Sequence, residues 1–403
     1  MGGAGGNALS VARSLGRGGV GVYLLPDAPN PHSRYARYIE LPETANPQVA
    51  WVRYLLGPAS ERLRGAVLLS CCDAGIEVLI EHHGELSKKF ILDISDTEAQ
   101  RYLLSKLSTY QKAKQAGVPT PLFWAAERVE EVEARRDEYV YPLIVKPLYS
   151  HRFHAVFGDK FFRVTDFQGL MTAYQRARAH DLDVILLEEI PGSDDRLCSY
   201  YTYLEESGVP LCDFTKRVLR RYPENRGPAC YHVTDWNPEV RDLGLRLFRH
   251  VGLLGVGNVE FKRDDRDGKL RIIECNARFT AANALLVESG YDLGLFVYNR
   301  LVGIPQPPLN SRRYKEGLHL WFPGRDIRAF LALHAAGRLS VSAWLASLAH
   351  RQVLAYFRWY DPVPAVVGTS RFARRTVGTA TRCLLVRKRK AGTLSTIKAK
   401  EKI

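Results

Sequence analysis

Short apolar runs alternate with longer amphipathic stretches through most of the chain, and the rhythm changes character twice. At the start, Gly2-Gly3-Ala4-Gly5-Gly6-Asn7-Ala8-Leu9 leads into Val11-Ala12-Arg13-Ser14-Leu15. Past Gly18-Gly19 it reaches Val20-Gly21-Val22-Tyr23-Leu24-Leu25. A glycine turn, a helix and a buried parallel strand follow from that order, the rhythm of a doubly wound α/β unit. The strand that normally precedes such a turn is missing, so a truncated Rossmann-like domain is expected. Its glycines then serve tight backbone packing rather than a phosphate cradle. Gly65-Ala66-Val67-Leu68-Leu69-Ser70 and Phe90-Ile91-Leu92-Asp93 read as two more buried strands with a helix between them, completing a small domain over 1–95.

From Ser95 the pattern turns helical, from Thr97 to Ala116, and stops at Gly117-Val118-Pro119-Thr120-Pro121. Val140-Tyr141-Pro142-Leu143-Ile144-Val145-Lys146-Pro147 predicts an apolar strand with a lysine near its end. A helix is expected around Phe167 to His180. Val184-Ile185-Leu186-Leu187-Glu188-Glu189-Ile190-Pro191-Gly192 predicts a second strand that opens into two carboxylates and a turn. Cys198–Tyr203 and Leu211–Leu219 alternate as an antiparallel hairpin about Ser207-Gly208. After an amphipathic helix from Arg241 to Val251, segments 257–264 and 270–276 pair through the turn Asp267-Gly268. Pro305-Gln306-Pro307-Pro308 marks the second change, into a Leu-, Ala- and Trp-rich helical region that becomes basic. The expected organisation is α/β and α+β: 1–95, then 96–305 with two α+β subdomains, then a helical extension over 306–403.

The 403 residues, 46% hydrophobic and 25% charged, are globular in composition and exclude a disordered or fibrous chain. Ala329–Leu348 is the most apolar stretch, and His334 and Arg338 interrupt it, so no membrane span is expected. Neither a basic leader nor a small-residue cleavage site opens the sequence, which points to the cytoplasm. The seven cysteines lack the CxxC spacing of thiolate zinc sites and read as reduced core residues. Much of the +14 net charge is C-terminal: from Arg371 onward there are eleven Lys or Arg and one Glu. The cluster Arg387-Lys388-Arg389-Lys390 fits a solvated tail or a weak contact with an anionic surface, with no specific nucleic acid implied.

Three constellations carry chemistry. On a strand, residues two apart share a face, so Glu274 and Asn276 present oxygen ligands side by side, and Glu260 on the paired strand completes the set. Hard oxygens of this kind suit Mg²⁺. Arg278, two residues further, offers a planar fork for a phosphate or acyl phosphate. Lys146 at the end of an apolar strand needs an anionic partner, and nucleotide phosphates would serve. Lys106, with Lys112 and Lys114 nearby, reads on its own as a solvent-facing helix lysine. Finally, Glu188-Glu189-Ile190-Pro191-Gly192-Ser193-Asp194-Asp195 offers backbone groups and carboxylates to a nucleoside, or is an acidic turn.

Taken together and in order, these blocks resemble the ATP-grasp superfamily over roughly residues 1–305. The blocks are Lys106 with Gly117-Val118-Pro119-Thr120-Pro121; Tyr141-Pro142-Leu143-Ile144-Val145-Lys146-Pro147; Leu187-Glu188-Glu189-Ile190-Pro191-Gly192; and Asn258-Val259-Glu260-Phe261 with Ile273-Glu274-Cys275-Asn276-Ala277-Arg278. The run Gly6-Asn7-Ala8-Leu9-Ser10-Val11-Ala12-Arg13-Ser14-Leu15 is similar to a branch of ligases related to carbamoyl-phosphate synthetase and D-aspartate ligase. The resemblance implies that Lys106 and Lys146 hold ATP phosphates and that Glu188 meets the adenine amino group. It implies backbone contacts from Glu189 and Pro191 and a ribose contact from Asp195. Glu260, Glu274 and Asn276 would bind two Mg²⁺ ions, with Mn²⁺ as a substitute, while Arg278, Arg217 and Arg220 contact the transferred phosphate or the substrate. The chain departs from the pattern at 148–160, where relatives carry a glycine-rich lid and this chain has only Gly158. Ser150, His151, Arg152 and Lys160 would supply side-chain donors there instead.

The implied activity is ATP-dependent ligation of a carboxylate to an amine through an acyl phosphate. The alternatives are a bicarbonate-activating carboxylase or carbamoyl-phosphate former, and a non-catalytic ATP-binding regulatory module.

Overall fold

The computed structural model of the protein describes residues 1–2, 6–26, 32–42, 44, 46–93, 97–148, 153 and 156–367. The basic segment from Arg371, Cys383 and the lid residues Ser150, His151 and Arg152 lie outside them. The chain forms two compact units, Met1–Asn30 with Tyr35–Ala355, and Pro31–Arg34 with Tyr356–Ile403. In the second, buried Asp361 accepts from Ser33 Oγ at 2.7 Å and from the Arg34 amide at 3.1 Å.

The first unit opens with α1 (Gly6–Arg17), β1 (Tyr23–Leu24), β2 (Arg37–Tyr38), α2 (Pro47–Leu56), β3 (Val67–Leu68), α3 (Asp73–Glu81), α4 (His83–Leu86) and β4 (Ile91–Leu92). β1 pairs with β2 and β3 with β4, both parallel, as the α/β rhythm predicts. Met1 and Gly2 bridge the two pairs. The Gly2 amide donates to Leu25 O at 2.9 Å, Cys71 N donates to Met1 O at 3.0 Å, and the Met1 amino group donates to Leu69 O at 2.7 Å. Gly2 sits at φ +60, and a Cβ there would lie 2.3 Å from Cys72 Sγ and 2.8 Å from the Trp51 ring, so only glycine fits.

The single helix expected over 97–116 is two, α5 (Glu98–Leu104) and α6 (Lys106–Gln115). Ser105 between them is extended, at φ −80 and ψ 122, and its side chain caps α6 by accepting from Ser108 N. The break turns Lys106 inward, where it is buried. β5 (Phe123–Ala126), α7 (Val129–Ala134), β6 (Leu143–Pro147), β7 (Phe162–Val164), α8 (Phe167–Arg178) and β8 (Val184–Glu188) follow. Their strands make an antiparallel sheet in the order β5-β8-β6-β7. Leu143, Val145, Leu186, Leu170 and Tyr174 form the core beneath α8.

A seven-stranded sheet completes the unit: β9 (Leu197–Leu204), β10 (Pro210–Arg221), β11 (Ala229–Thr234), β12 (Gly255–Arg263), β13 (Leu270–Asn276), β14 (His319–Trp321) and β15 (Gln352–Leu354). Its order is β13-β12-β9-β10-β11-β14-β15, antiparallel except for the last pair. α9 (Pro238–His250) packs Val240, Leu247 and Phe248 with Tyr200, Val259, Phe261 and Ile272, and Ile185 and Leu187 of the smaller sheet join the same core. Asn283 on α10 (Asn283–Ser289) donates to Ser10 Oγ at 3.3 Å, and Asp292, which caps α11 (Leu293–Leu301), accepts from Ser14; both contacts reach α1. The region beyond residue 305, expected to be helical, contains α12 (Pro323–Ala335) and α13 (Val341–Leu348) but also lends β14 and β15 to the large sheet. Among the described residues no helix is long and apolar enough to cross a membrane. Cys198, Cys212, Cys230 and Cys275 are buried on strands, and burial raises each thiol's pKa.

Candidate functional site

The register of the large sheet draws one polar row across four strands. Lys216 on β10 lies opposite Ser199 on β9, Ser199 opposite Glu260 on β12, and Glu260 opposite Glu274 on β13. Directly opposed residues share a face, and the Lys216 ammonium confirms it by donating to Ser199 Oγ at 3.0 Å. The parallel row one step along holds Asn276, Asn258 and Tyr201. Asn276 Nδ2 donates to Asn258 Oδ1 at 3.1 Å, and Asn258 Nδ2 donates to Tyr200 O at 3.2 Å. Both asparagines are thereby locked, and the Asn276 carbonyl oxygen is left without a donor among these bonds. The opposite face carries the apolar core packed around Tyr200, Val259 and Phe261.

Cations reach the row from other elements. The smaller sheet brings Lys146 Nζ to 3.7 Å from Glu274 Oε2 and 3.4 Å from Ile273 O. Burial pushes the Lys146 ammonium down to about 8, with Glu274 and Glu260 opposing and Lys106 and Lys160 adding to the fall. Burial would raise the Glu274 carboxyl, but Lys106, Lys146, Lys160 and Arg278 outweigh it and hold the pKa far below the usual carboxylate range. Glu274 is therefore ionised and encircled by cations. Burial likewise lowers Lys216, against the pull of Glu260. Arg278 Nε donates to Asp73 Oδ1 at 2.6 Å, an ion pair that ties the N-terminal α/β layer to the end of β13.

The donor set fits a hard divalent cation. Glu260 and Glu274 are cross-strand partners on one face, and Asn276 follows Glu274 by two residues. No group of three or more His, Cys, Asp and Glu able to hold a metal occurs among the described residues. A cation here would draw its remaining ligands from water and phosphate oxygens, the habit of Mg²⁺.

The structure thus brings together Lys106, Lys146, Glu260, Glu274, Asn276 and Arg278, and places the other expected residues elsewhere. Arg217 alternates to the opposite face from Lys216 and pairs at the surface with Asp235 at 3.1 Å. Arg220 is displaced by a register shift between Val218 and Arg220, which sets Val218 opposite His232 but Arg220 opposite Tyr231. Its guanidinium lies over the Tyr231 ring at 4.4 Å and grips fully buried Asp326 at 2.6 and 3.0 Å, with Ser347 Oγ at 2.9 Å. The expectation that Arg217 and Arg220 contact substrate is corrected: alternation and the bulge turn both away. Asp326 also accepts from the indole N–H groups of Trp321 and Trp344, at 3.0 Å each, so those tryptophans are packing residues.

At the expected adenine hook, the Glu188 carboxylate accepts from the Leu122 amide at 3.0 Å and pairs with Arg266. It ties loops together rather than standing open to an amino group. The Glu189 amide donates to Pro142 O at 3.0 Å, which leaves only its carbonyl for a ligand, and its carboxylate pairs with Arg163 at 2.5 Å. Pro191 is half-buried and Asp195 is exposed, accepting from Ser193. Three residues were missed from sequence. Lys262 donates to Ile190 O at 2.9 Å and steadies the hook, Asp73 orients Arg278, and Lys216 sits on the polar row. Alternation counted from Glu260 through the hairpin registers is the signal that finds Lys216; nothing local marks the other two.

Comparison with known proteins converges on the same region. The family described as carbamoyl-phosphate synthase L chain, ATP binding domain, matches residues 229–299, which hold Glu260, Glu274, Asn276 and Arg278. D-aspartate ligase of Enterococcus faecium is 22% identical over 263 residues, 59% of this chain and 59% of that one. The chain therefore spans less than two thirds of that relative's length. Among solved structures, the biotin carboxylase domain of 2-oxoglutarate carboxylase from Hydrogenobacter thermophilus, in complex with MgADP, ADP and bicarbonate, superposes with a TM-score of 0.60 at 17% identity, covering 77% of this chain and 71% of that one. L-amino acid ligase from Bacillus licheniformis superposes with a TM-score of 0.56 at 16% identity, covering 77% and 75%.

Proposed function

We propose that this chain, whose fold is that of the ATP-grasp proteins, is an ATP-dependent carboxylate–amine ligase acting in the cytoplasm, with residues 96–305 as its nucleotide-binding unit. The observation that carries the reading is the meeting of Lys146 from one sheet with Glu274 from the other, 3.7 Å apart, beside Lys106, Glu260 and Asn276. A buried ring of cations around an ionised carboxylate suits a polyphosphate and its counter-ions better than it suits a packed core.

Lys106 and Lys146 bind and orient the phosphates of ATP as donors. The Glu189 carbonyl, Pro191 and Asp195 line the nucleoside end, with Lys262 holding the strand in place. Glu260, Glu274 and Asn276 hold Mg²⁺, two ions in our reading, with Mn²⁺ able to serve the same oxygens. When bound, the metal supplies charge neutralisation across the phosphate oxygens. A substrate carboxylate oxygen attacks the γ-phosphorus and the bond to ADP breaks, giving an acyl phosphate and ADP. An amine nitrogen then attacks the acyl carbon. Phosphate leaves with the electron pair of the C–O bond, and the nitrogen loses a proton to give the amide. Arg278, steadied by Asp73, and Lys216, steadied by Ser199, stabilise the negative charge that develops. Lys160, whose charge reaches both Lys146 and Glu274, helps to keep the acyl phosphate from water.

Release of ADP and phosphate should require both a carboxylate and an amine, screened as a panel of amino acids and small carboxylates. Nucleotide hydrolysis that proceeds equally without either substrate would overturn the ligase. Turnover that depends on bicarbonate instead would establish the carboxylase, and nucleotide binding without turnover on any pair would leave a regulatory module.

A further inference from the structure

α13 is an apolar helix, Val-Ser-Ala-Trp-Leu-Ala-Ser-Leu, and not one of its residues is buried. Helices with such sequences normally bury a face. Its partner α12 buries only Asp326 and Ala329. The two are held to each other by Phe330 stacked on Trp344, ring centres 4.5 Å apart, and to the sheet by the Arg220–Asp326 pair. That anchoring leaves Ile327 at 43% and Leu331 at 57% exposure on α12, and Val341 at 48% and Leu345 at 55% on α13. In each helix the two aliphatics are four residues apart and so share a face. Four aliphatic side chains held in water on a pinned helical hairpin mark an interaction surface rather than scattered surface residues.

The charge around the hairpin selects the occupant. Between 323 and 351 the chain carries Arg325, Arg328, Arg338 and Arg351, with His334 and His350, and its one acidic residue is buried Asp326. Arg338 is matched by Glu224 from the loop after β10. Arg351 is exposed. An exposed apolar helical hairpin whose own charges, buried Asp326 apart, are all cationic is complementary to an anionic lipid surface, where aliphatics enter the acyl boundary and arginines meet headgroups. A nucleic acid would use the cations but not the aliphatics.

We propose that the α12–α13 hairpin docks the protein on anionic bilayers, lying on the surface rather than spanning it. The test is flotation of the full chain with vesicles of phosphatidylcholine alone and of phosphatidylcholine with roughly one third phosphatidylglycerol. The chain should float with the anionic vesicles only, less so as salt rises. Leu331→Glu with Leu345→Glu should weaken flotation about tenfold or more, with the thermal midpoint unchanged because both side chains are exposed. Absence of flotation with anionic vesicles at low salt would overturn the proposal. So would a double variant that floats like the parent, which would assign binding to charge alone. A dimer seen by light scattering that the double variant dissociates would show instead that a second copy covers the hairpin. No nucleotide is needed, so the result stands apart from the proposed ligase activity.

Discussion

Lys216 and Arg217 are neighbours on β10 and face opposite sides of the sheet: the Lys216 ammonium is buried against Ser199 Oγ at 3.0 Å, and Arg217 turns outward to Asp235 at 3.1 Å. Lys216→Met should reduce turnover about a hundredfold or more while nucleotide affinity holds, because the side chain lies at the Glu260 end of the row. Arg217→Met should change neither. Steady-state kinetics on the two variants decide it, and equal losses would place the basic contact wrongly.

Lys146→Ala removes a donor and leaves Glu274 facing Lys106 and Arg278; Glu274→Gln removes the charge those cations surround. Each should abolish measurable nucleotide turnover with circular dichroism unchanged, since the two side chains meet each other and stand outside the apolar clusters. Retained turnover in either variant would dismiss the site.

Lys146 titrates near 8 in the folded chain and at the ordinary 10.5 when unfolded. A depressed lysine penalises the folded state while both forms are charged, so stability should rise as pH climbs from about 8 toward 10.5, where the unfolded chain binds more protons. Nucleotide affinity should move oppositely, falling as pH passes about 8 because the ammonium is lost. Phosphates favour the charged form, so binding above pH 8 should take up a proton. Calorimetry in buffers of different ionisation enthalpy measures that uptake, and Lys146→Arg should remove it.

Asp326 is fully buried and is gripped by Arg220. Asp326→Ala strands that guanidinium and should cost about 3–5 kcal/mol, whereas Arg220→Met with Asp326→Leu should recover most of it. Urea denaturation tests both, and a mild effect of Asp326→Ala would mean that water reaches Arg220.

Gly244 lies where α9 touches the sheet, and a Cβ there would stand 2.5 Å from Tyr200 Cδ1 and 2.8 Å from Val259 Cγ1. Alanine usually favours a helix by about 1 kcal/mol over glycine, yet overpacking of about 1–3 kcal/mol should win. Gly244→Ala should therefore lower the denaturation midpoint; a rise would show that the helix can lift away.

Most element types, strand pairing at Ser207-Gly208 and Asp267-Gly268, and the shared face of Glu260, Glu274 and Asn276 were legible in the residues alone. They rest on local periodicity, turn chemistry and the two-residue repeat that aligns Glu274 with Asn276. Short-range pattern does not report which face a residue takes after a bulge, and Arg220 was lost that way. Nor does it report whether a lysine in a polar helix is capped inward, as Ser105 does to Lys106, or which distant carboxylate orients an arginine, as Asp73 does for Arg278 across the fold. Those outcomes depend on burial shared between segments far apart in the chain, where desolvation makes a charge seek a partner that no neighbouring residue announces.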